Sequence, residues 1–222
     1  MFSGDYSMLD VVILSIKPEL GYDEFIALLS LVSPKKQDRI MKFHFFKDAQ
    51  NCLIGDVLSR AEICRVTGLL NSHLEFTVNG YGKPILHNIP YIHFNISHAS
   101  QYVACVISDK PVGIDIEYIK TIDMKIAQRF FASDEIAYIM AGDKTLRFYE
   151  VWTKKESRIK WEGKGLHVPL PSFSVFEPYI YHKTIYHNVF HDDNATCHIC
   201  TSKNDVPSVR FMDIGSFFQN TG

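Results

Sequence analysis

Asp115 and Glu117 stand two residues apart in the run Val112-Gly113-Ile114-Asp115-Ile116-Glu117, and a third acid, Glu156, falls within Trp152-Thr153-Lys154-Lys155-Glu156-Ser157-Arg158-Ile159-Lys160. Three carboxylates and the lysines Lys155 and Lys160 are the components that hold a hard divalent cation together with a pyrophosphate. Mg²⁺ takes few protein carboxylates and leaves room for water and substrate phosphates. Asp115 and Glu117 would also suit the solvated face of a sheet, and a Lys-Lys-Glu run the solvated stripe of a helix.

The elements that must position these groups can be read from periodicity. Val112, Ile114 and Ile116 alternate with Gly113, Asp115 and Glu117, which predicts a half-buried strand with both acids on one face. Trp152, Glu156 and Lys160 are four apart, which predicts a helix presenting all three on one side. If that helix docks over the strand, Glu156 becomes a third oxygen ligand, and Lys155 and Lys160 bring positive charge to the same phosphates.

Upstream, a strand over Val11 to Ile16 leads to a helix over Asp23 to Leu31, and Ser33-Pro34 marks a helix start with proline at its first position. That helix is basic: Lys36 and Arg39 share a face, with Lys35, Lys42 and Lys47 close by. A longer helix is expected from an Asp48 N-cap to a terminating Gly68, with Leu53, Val57 and Ala61 on its core side. A strand around Leu74 to Val78 precedes the turn Asn79-Gly80-Tyr81-Gly82-Lys83-Pro84, whose backbone can approach a flat ligand closely. Phe94 to His98 reads as a strand ending in Ser97-His98, and Tyr102 to Ile107 as an apolar strand forming a hairpin with the Asp115 strand. Farther on come a Ser133-capped helix to Gly142, a long helix from about Thr145 to Trp161, and strands near Phe173, Tyr181, Thr196 and Phe211.

These elements predict an α+β fold of two similar subdomains with pseudo-twofold symmetry, each a small, mostly antiparallel sheet packed with helices. The expected division is 1–110 and 111–222, with the active site at the interface. With 222 residues and 46% hydrophobic content, there is enough apolar side chain for packed cores. A net charge of −2, from 23 basic and 25 acidic residues, gives no field suited to nucleic acid or an anionic membrane. The start of the chain has no signal-peptide or spanning pattern, so the expectation is a cytoplasmic protein. The five cysteines read as free thiols in a reducing compartment; Cys197-His198-Ile199-Cys200 lacks the second ligand pair of a zinc site.

Taken together and in order, these segments resemble the Sfp-type 4'-phosphopantetheinyl transferases. The likeness rests on Ser33-Pro34, Leu53 to Leu58, Tyr81 to Pro84, Phe94 to His98, Val112 to Glu117, Arg129-Phe130-Phe131, Trp152 to Lys160 and Glu162 to Leu166. It implies transfer of phosphopantetheine from coenzyme A to a serine of an acyl or peptidyl carrier protein. Asp115, Glu117 and Glu156 would hold Mg²⁺, or Mn²⁺, with the coenzyme pyrophosphate. Lys160 would contact that pyrophosphate, with Lys155 beside it. Lys36, Arg39 and His98, with Ser97 adjacent, would surround the 3'-phosphate; Tyr81, Lys83 and Pro84 would flank adenine. Two positions depart from the family pattern: Arg158 stands where an apolar or aromatic residue is usual, and Cys52 where a hydroxyl residue often lies near the nucleotide phosphate. Two subdomain lengths in one chain imply a monomer that builds the whole cleft alone. A coenzyme A-binding module without turnover, or another metal-dependent phosphate enzyme, is the competing reading.

Overall fold

The computed structural model describes residues 8–176, 184–202 and 204–221. The elements run β1 (Leu9–Ser15), α1 (Tyr22–Leu29), α2 (Pro34–Ile40), α3 (Phe46–Thr67), β2 (Phe76–Val78), β3 (Pro84–Leu86), β4 (His93–Ala99), β5 (Tyr102–Ser108) and β6 (Val112–Tyr118). There follow α4 (Lys125–Phe130), α5 (Ser133–Met140), α6 (Lys144–Glu162), β7 (Ile185–His191), β8 (Ala195–Thr201), β9 (Ser208–Asp213) and α7 (Ile214–Thr221). Helices packed on small sheets make this an α+β fold.

The first sheet has the order β4-β5-β1-β9, and the second β6-β8-β7, with β2 and β3 forming a separate small ribbon. Every pairing is antiparallel except that of β1 with β9. The predicted hairpin between the Tyr102 strand and the Asp115 strand does not form. Both edges of β5 are occupied, by β4 and by β1, so β6 has no place beside it and pairs with β8 instead. The apolar face of β6 explains the choice: Val112, Ile114 and Ile116 are sealed against Leu9, Val11, Ile13, Ala104 and Val106 of the first sheet. The two sheets thus share one core, and burying such a strand face contributes roughly 25 cal/mol per Å² of apolar surface.

A second core lies on the other face of the first sheet, where α1, α3 and α7 supply Phe25, Leu53, Ile54, Val57, Leu58 and Phe217. A third, aromatic core joins α4, α5 and α6 through Phe131, Ile139, Phe148 and Val151.

Helix ends follow the predicted chemistry with shifts. Ser33 precedes Pro34 as expected. The third helix begins at Phe46, ahead of Asp48, because Phe45 takes the extended cap conformation and Phe46 packs on Phe25 at 5.2 Å. Asp48 lies in the first turn, where its charge complements the helix dipole. Gly68, at φ 72°, closes that helix as predicted. At α5 the cap is Ala132 rather than Ser133, its N–H bonded to the Glu135 carboxylate at 2.8 Å. No strand forms near Phe173, whose neighbours Leu170–Ser172 make a 3-10 turn; the strand expected near Tyr181 falls outside the described residues. Cys105, Cys197 and Cys200 are buried free thiols. Among the described residues, no helix is long and apolar enough to cross a membrane.

Candidate active site at the seam of two sheets

The acids sit where β4, an edge of the first sheet, meets β6, an edge of the second. Asn95 Oδ1 accepts the Ile114 N–H at 2.9 Å, stitching the strands, and one step along Ser97 Oγ donates to Asp115 Oδ1 at 3.0 Å. Alternation along β6 turns Asp115 and Glu117 to the face that Gly113 also occupies, where α6 lies. Gly113 permits that approach: a Cβ there would stand 2.0 Å from the Ser157 carbonyl oxygen and 2.4 Å from the Trp161 nitrogen. The helix therefore rests directly on strand backbone, and its residues reach the acids as the four-residue spacing predicted.

Lys160 Nζ donates to Asp115 Oδ1 at 2.7 Å and to Ser97 Oγ at 2.9 Å. Asp115 is 4% exposed, yet its other oxygen, Oδ2, is buried and has no hydrogen-bond partner. Such an oxygen costs on the order of 1–3 kcal/mol, more when charged, unless something positive meets it. Burial pushes the Asp115 carboxyl upward, while Lys160 and Ser97 oppose. Glu117 is raised to about 7, first by burial and then by the Asp115 charge. Glu156 is raised by burial, then by Asp115, with Lys160 opposing. Three carboxylates in one another's fields, with one lysine among them, lack positive charge.

Two features stabilise this arrangement beyond the predicted set. Trp152 donates its indole N–H to Glu117 Oε1 at 3.3 Å, and its ring is stacked on Phe148 at 5.8 Å and edged by Phe130 at 6.0 Å. Trp152 heads the same four-residue series as Glu156 and Lys160, the signal that would have assigned it. Thr153 Oγ1 lies 2.8 Å from His198 Nδ1, joining α6 to β8; burial lowers the imidazole pKa to about 3.

The remaining predicted residues divide. His98 is solvent-exposed at one edge, yet its seat in the cleft desolvates it; that burial and then Lys160 hold the imidazole below its ordinary pKa. Lys36 is half-buried and paired with Asp56 at 3.0 Å, and Arg39 is exposed on the same helix. Tyr81 is 56% exposed and Pro84 is exposed. Lys83 turns inward instead, donating to the Val112 and Lys160 carbonyls.

Lys155 is a correction. Its side chain is fully buried on a different face of α6 from Glu156, 2.8 Å from Glu135 and bonded to the Leu170 and Phe173 carbonyls at 2.9 and 2.6 Å. With the Phe173 ring 4.1 Å below it, this ammonium has no path to a phosphate. Arg158 is likewise buried, at 2% exposure, over the Phe173 ring at 4.2 Å and paired with Glu162 at 3.3 Å. Its departure from an apolar residue is thus absorbed by a cation–π contact and an ion pair.

Among the described residues, no three His, Cys, Asp or Glu side chains are gathered tightly enough to form a ready-made metal cage. The donors nevertheless suit a hard cation: they are oxygens only, one is buried and unsatisfied, and their mutual repulsion calls for positive charge.

Comparison with known proteins meets this geometry from outside. Residues 19–110 match the family model of the 4'-phosphopantetheinyl transferase N-terminal region, and residues 111–214 that of the 4'-phosphopantetheinyl transferase superfamily. The chain is 44% identical over 159 residues to the 4'-phosphopantetheinyl transferase Sfp of Bacillus subtilis, covering 70% of this chain and 71% of the relative. It is 39% identical over 169 residues to the 4'-phosphopantetheinyl transferase gsp of Aneurinibacillus migulanus, covering 75% and 70%. A more distant relative, at 30% over 174 residues, is the L-aminoadipate-semialdehyde dehydrogenase-phosphopantetheinyl transferase of Saccharomyces cerevisiae, covering 72% and 64%. With an acid cluster at the seam and matched models across both halves, the chain belongs to the 4'-phosphopantetheinyl transferase superfamily, in its Sfp-type branch.

Proposed function

We propose that this protein moves 4'-phosphopantetheine from coenzyme A to a serine of an acyl or peptidyl carrier protein, releasing adenosine 3',5'-bisphosphate. The observation that carries the reading is the buried, unpartnered oxygen of Asp115, flanked by Lys160 and by the raised carboxyls of Glu117 and Glu156. Asp115, Glu117 and Glu156 would hold Mg²⁺, or Mn²⁺ in its place. A bound Mg²⁺ would supply the charge neutralisation that a pyrophosphate leaving group needs.

The chain's own groups account for the rest. Lys160 places an ammonium beside the pyrophosphate, and Ser97 holds that ammonium in line. Arg39, His98 and Lys36 offer the cluster for the 3'-phosphate, and Tyr81 and Pro84 line the approach of adenine. The carrier serine oxygen bonds to the phosphorus bearing the pantetheine arm as the pyrophosphate P–O bond breaks. The serine proton passes to Glu156 or to a water that it orients. Protein donors fixed before the reaction cost no reorganisation during it, and each contributes on the order of 3 kcal/mol.

A module that only bound coenzyme A would have no use for three mutually repelling acids, one of them buried with an unmet oxygen. The deciding experiment incubates an apo carrier protein with coenzyme A and Mg²⁺ and reads the intact mass. Gain of one phosphopantetheine is expected. No gain on several carriers, with coenzyme A still bound, would select the binding module; inorganic phosphate released without a carrier would select a phosphohydrolase.

A further inference from the structure

We infer that Lys83 is a positioning residue for the transfer reaction: one ammonium ties the C-terminal turn of α6 to the first residue of β6, so the 79–83 turn sets the distance between the helix and strand that carry the acids. Family resemblance places this residue among those flanking adenine, but the structure gives its charged end another task.

A helix leaves its last carbonyls without partners. Helix α6 ends at Gly163, φ 68°, and two of its terminal carbonyls are taken by this turn from the other half of the chain. Lys83 Nζ donates to Lys160 O at 2.5 Å, and Asn79 Nδ2 to Gly163 O at 2.8 Å. The same Nζ donates to Val112 O, the opening residue of β6, at 3.1 Å. An ammonium has three donors, and two are committed here. A positive charge at this end of the helix also complements its dipole.

The turn is stiff enough to transmit this constraint. Asn79 Oδ1 accepts from the Tyr81 and Lys83 backbone N–H groups, both at 2.9 Å, and the Asn79 N–H bonds Lys83 O at 2.9 Å. Lys160 is consequently held at both ends: its carbonyl by Lys83, and its ammonium by Ser97 and Asp115. Glu156 stands one turn earlier on the same helix. Burial, and behind it the Lys160 charge, lowers the Lys83 pKa to about 8, in keeping with carbonyls rather than solvent around it. Loosening Lys83 would let α6 slide on β6 and spoil the placement of Lys160 and Glu156 while leaving Tyr81 and Arg39 in place for the nucleotide.

The inference rests on the acid-cluster reading above, and its test separates the two. For Lys83→Met, kcat in carrier loading is expected to fall ten- to a hundredfold. Coenzyme A affinity by calorimetry, and its KM, should stay within threefold. Lys83→Arg, which keeps the charge and its donors, should recover kcat to within about fivefold. A tenfold loss of coenzyme A affinity with kcat within twofold would overturn the inference in favour of a nucleotide ligand. Unchanged kcat and affinity would overturn it outright. If Lys83→Met melts below the assay temperature, Lys83→Gln, which keeps an amide donor, is scored by the same split. Full turnover by Asp115→Ala would remove the acid-cluster reading, leaving the coenzyme A affinities of the Lys83 variants to judge this one.

Discussion

Helix α6 carries two charged clusters on its two sides, and they differ in one respect. On the inner side, Lys155 and Glu135 are both fully buried, and the ammonium also meets two carbonyls. The Glu135 carboxylate in turn accepts the Ala132 and Val175 N–H groups, at 2.8 Å each. On the cleft side, Asp115 keeps an oxygen with no partner, and all three carboxyls are pushed upward. Charge alone therefore does not mark a functional site. A buried ion pair with its hydrogen bonds complete is architecture, whereas one that leaves an acceptor unmet is waiting for a ligand.

Breaking the inner cluster should cost the most. Lys155→Ala strands Glu135 in the interior, with an expected loss of about 3–5 kcal/mol, or roughly 10 °C in melting temperature. The surviving folded molecules should still load carrier protein. A variant that melts normally but fails to turn over would return Lys155 to the active site.

Asp115→Ala should do the reverse. Turnover is expected to fall a hundredfold or more, about 3 kcal/mol in barrier, while coenzyme A still binds and the metal-free melting temperature moves by roughly 2 °C or less. Millimolar Mg²⁺ should raise the melting temperature of the parent but not of this variant. Undiminished loading would refute the metal assignment.

The smallest effect sharpens the comparison on the architectural side. His198 is bonded to Thr153 and has a folded pKa near 3, below its unfolded value of 6.5, so it folds neutral. Its contribution is complete above pH 6.5 and declines as the unfolded chain takes up a proton below that, by about 2 kcal/mol at pH 5. Thermal melts of His198→Gln between pH 7 and pH 5 should show a flatter decline than the parent. Parallel slopes would remove His198 as a source of acid sensitivity.

Much of the site was legible because its signals are short-range. The alternation from Val112 to Glu117 and the spacing of Trp152, Glu156 and Lys160 each lie within one element, and both survive in the fold. Lys155 was misplaced by its proximity to Glu156, although adjacent helix residues point about 100° apart. A better guide was its place in the series Phe148, Val151, Lys155 and Ile159, whose other members are all buried. The false hairpin arose from strands adjacent in sequence. What competes with adjacency is a pairing between β5 and β1, distant along the chain, that local pattern does not encode. The hold of the Lys83 ammonium on the Val112 and Lys160 carbonyls depends on where α6 ends in space, again a long-range fact.

The parallel pairing of β9 with β1 has a consequence for biosynthesis. Strand β1 lies between β5 and β9 in the first sheet, and β9, Ser208–Asp213, follows every other strand along the chain. Until β9 is made, the side of β1 that it will cover, Asp10 to Ser15, is an unpaired edge open to pairing with other chains. The first sheet is thus exposed longest along β1.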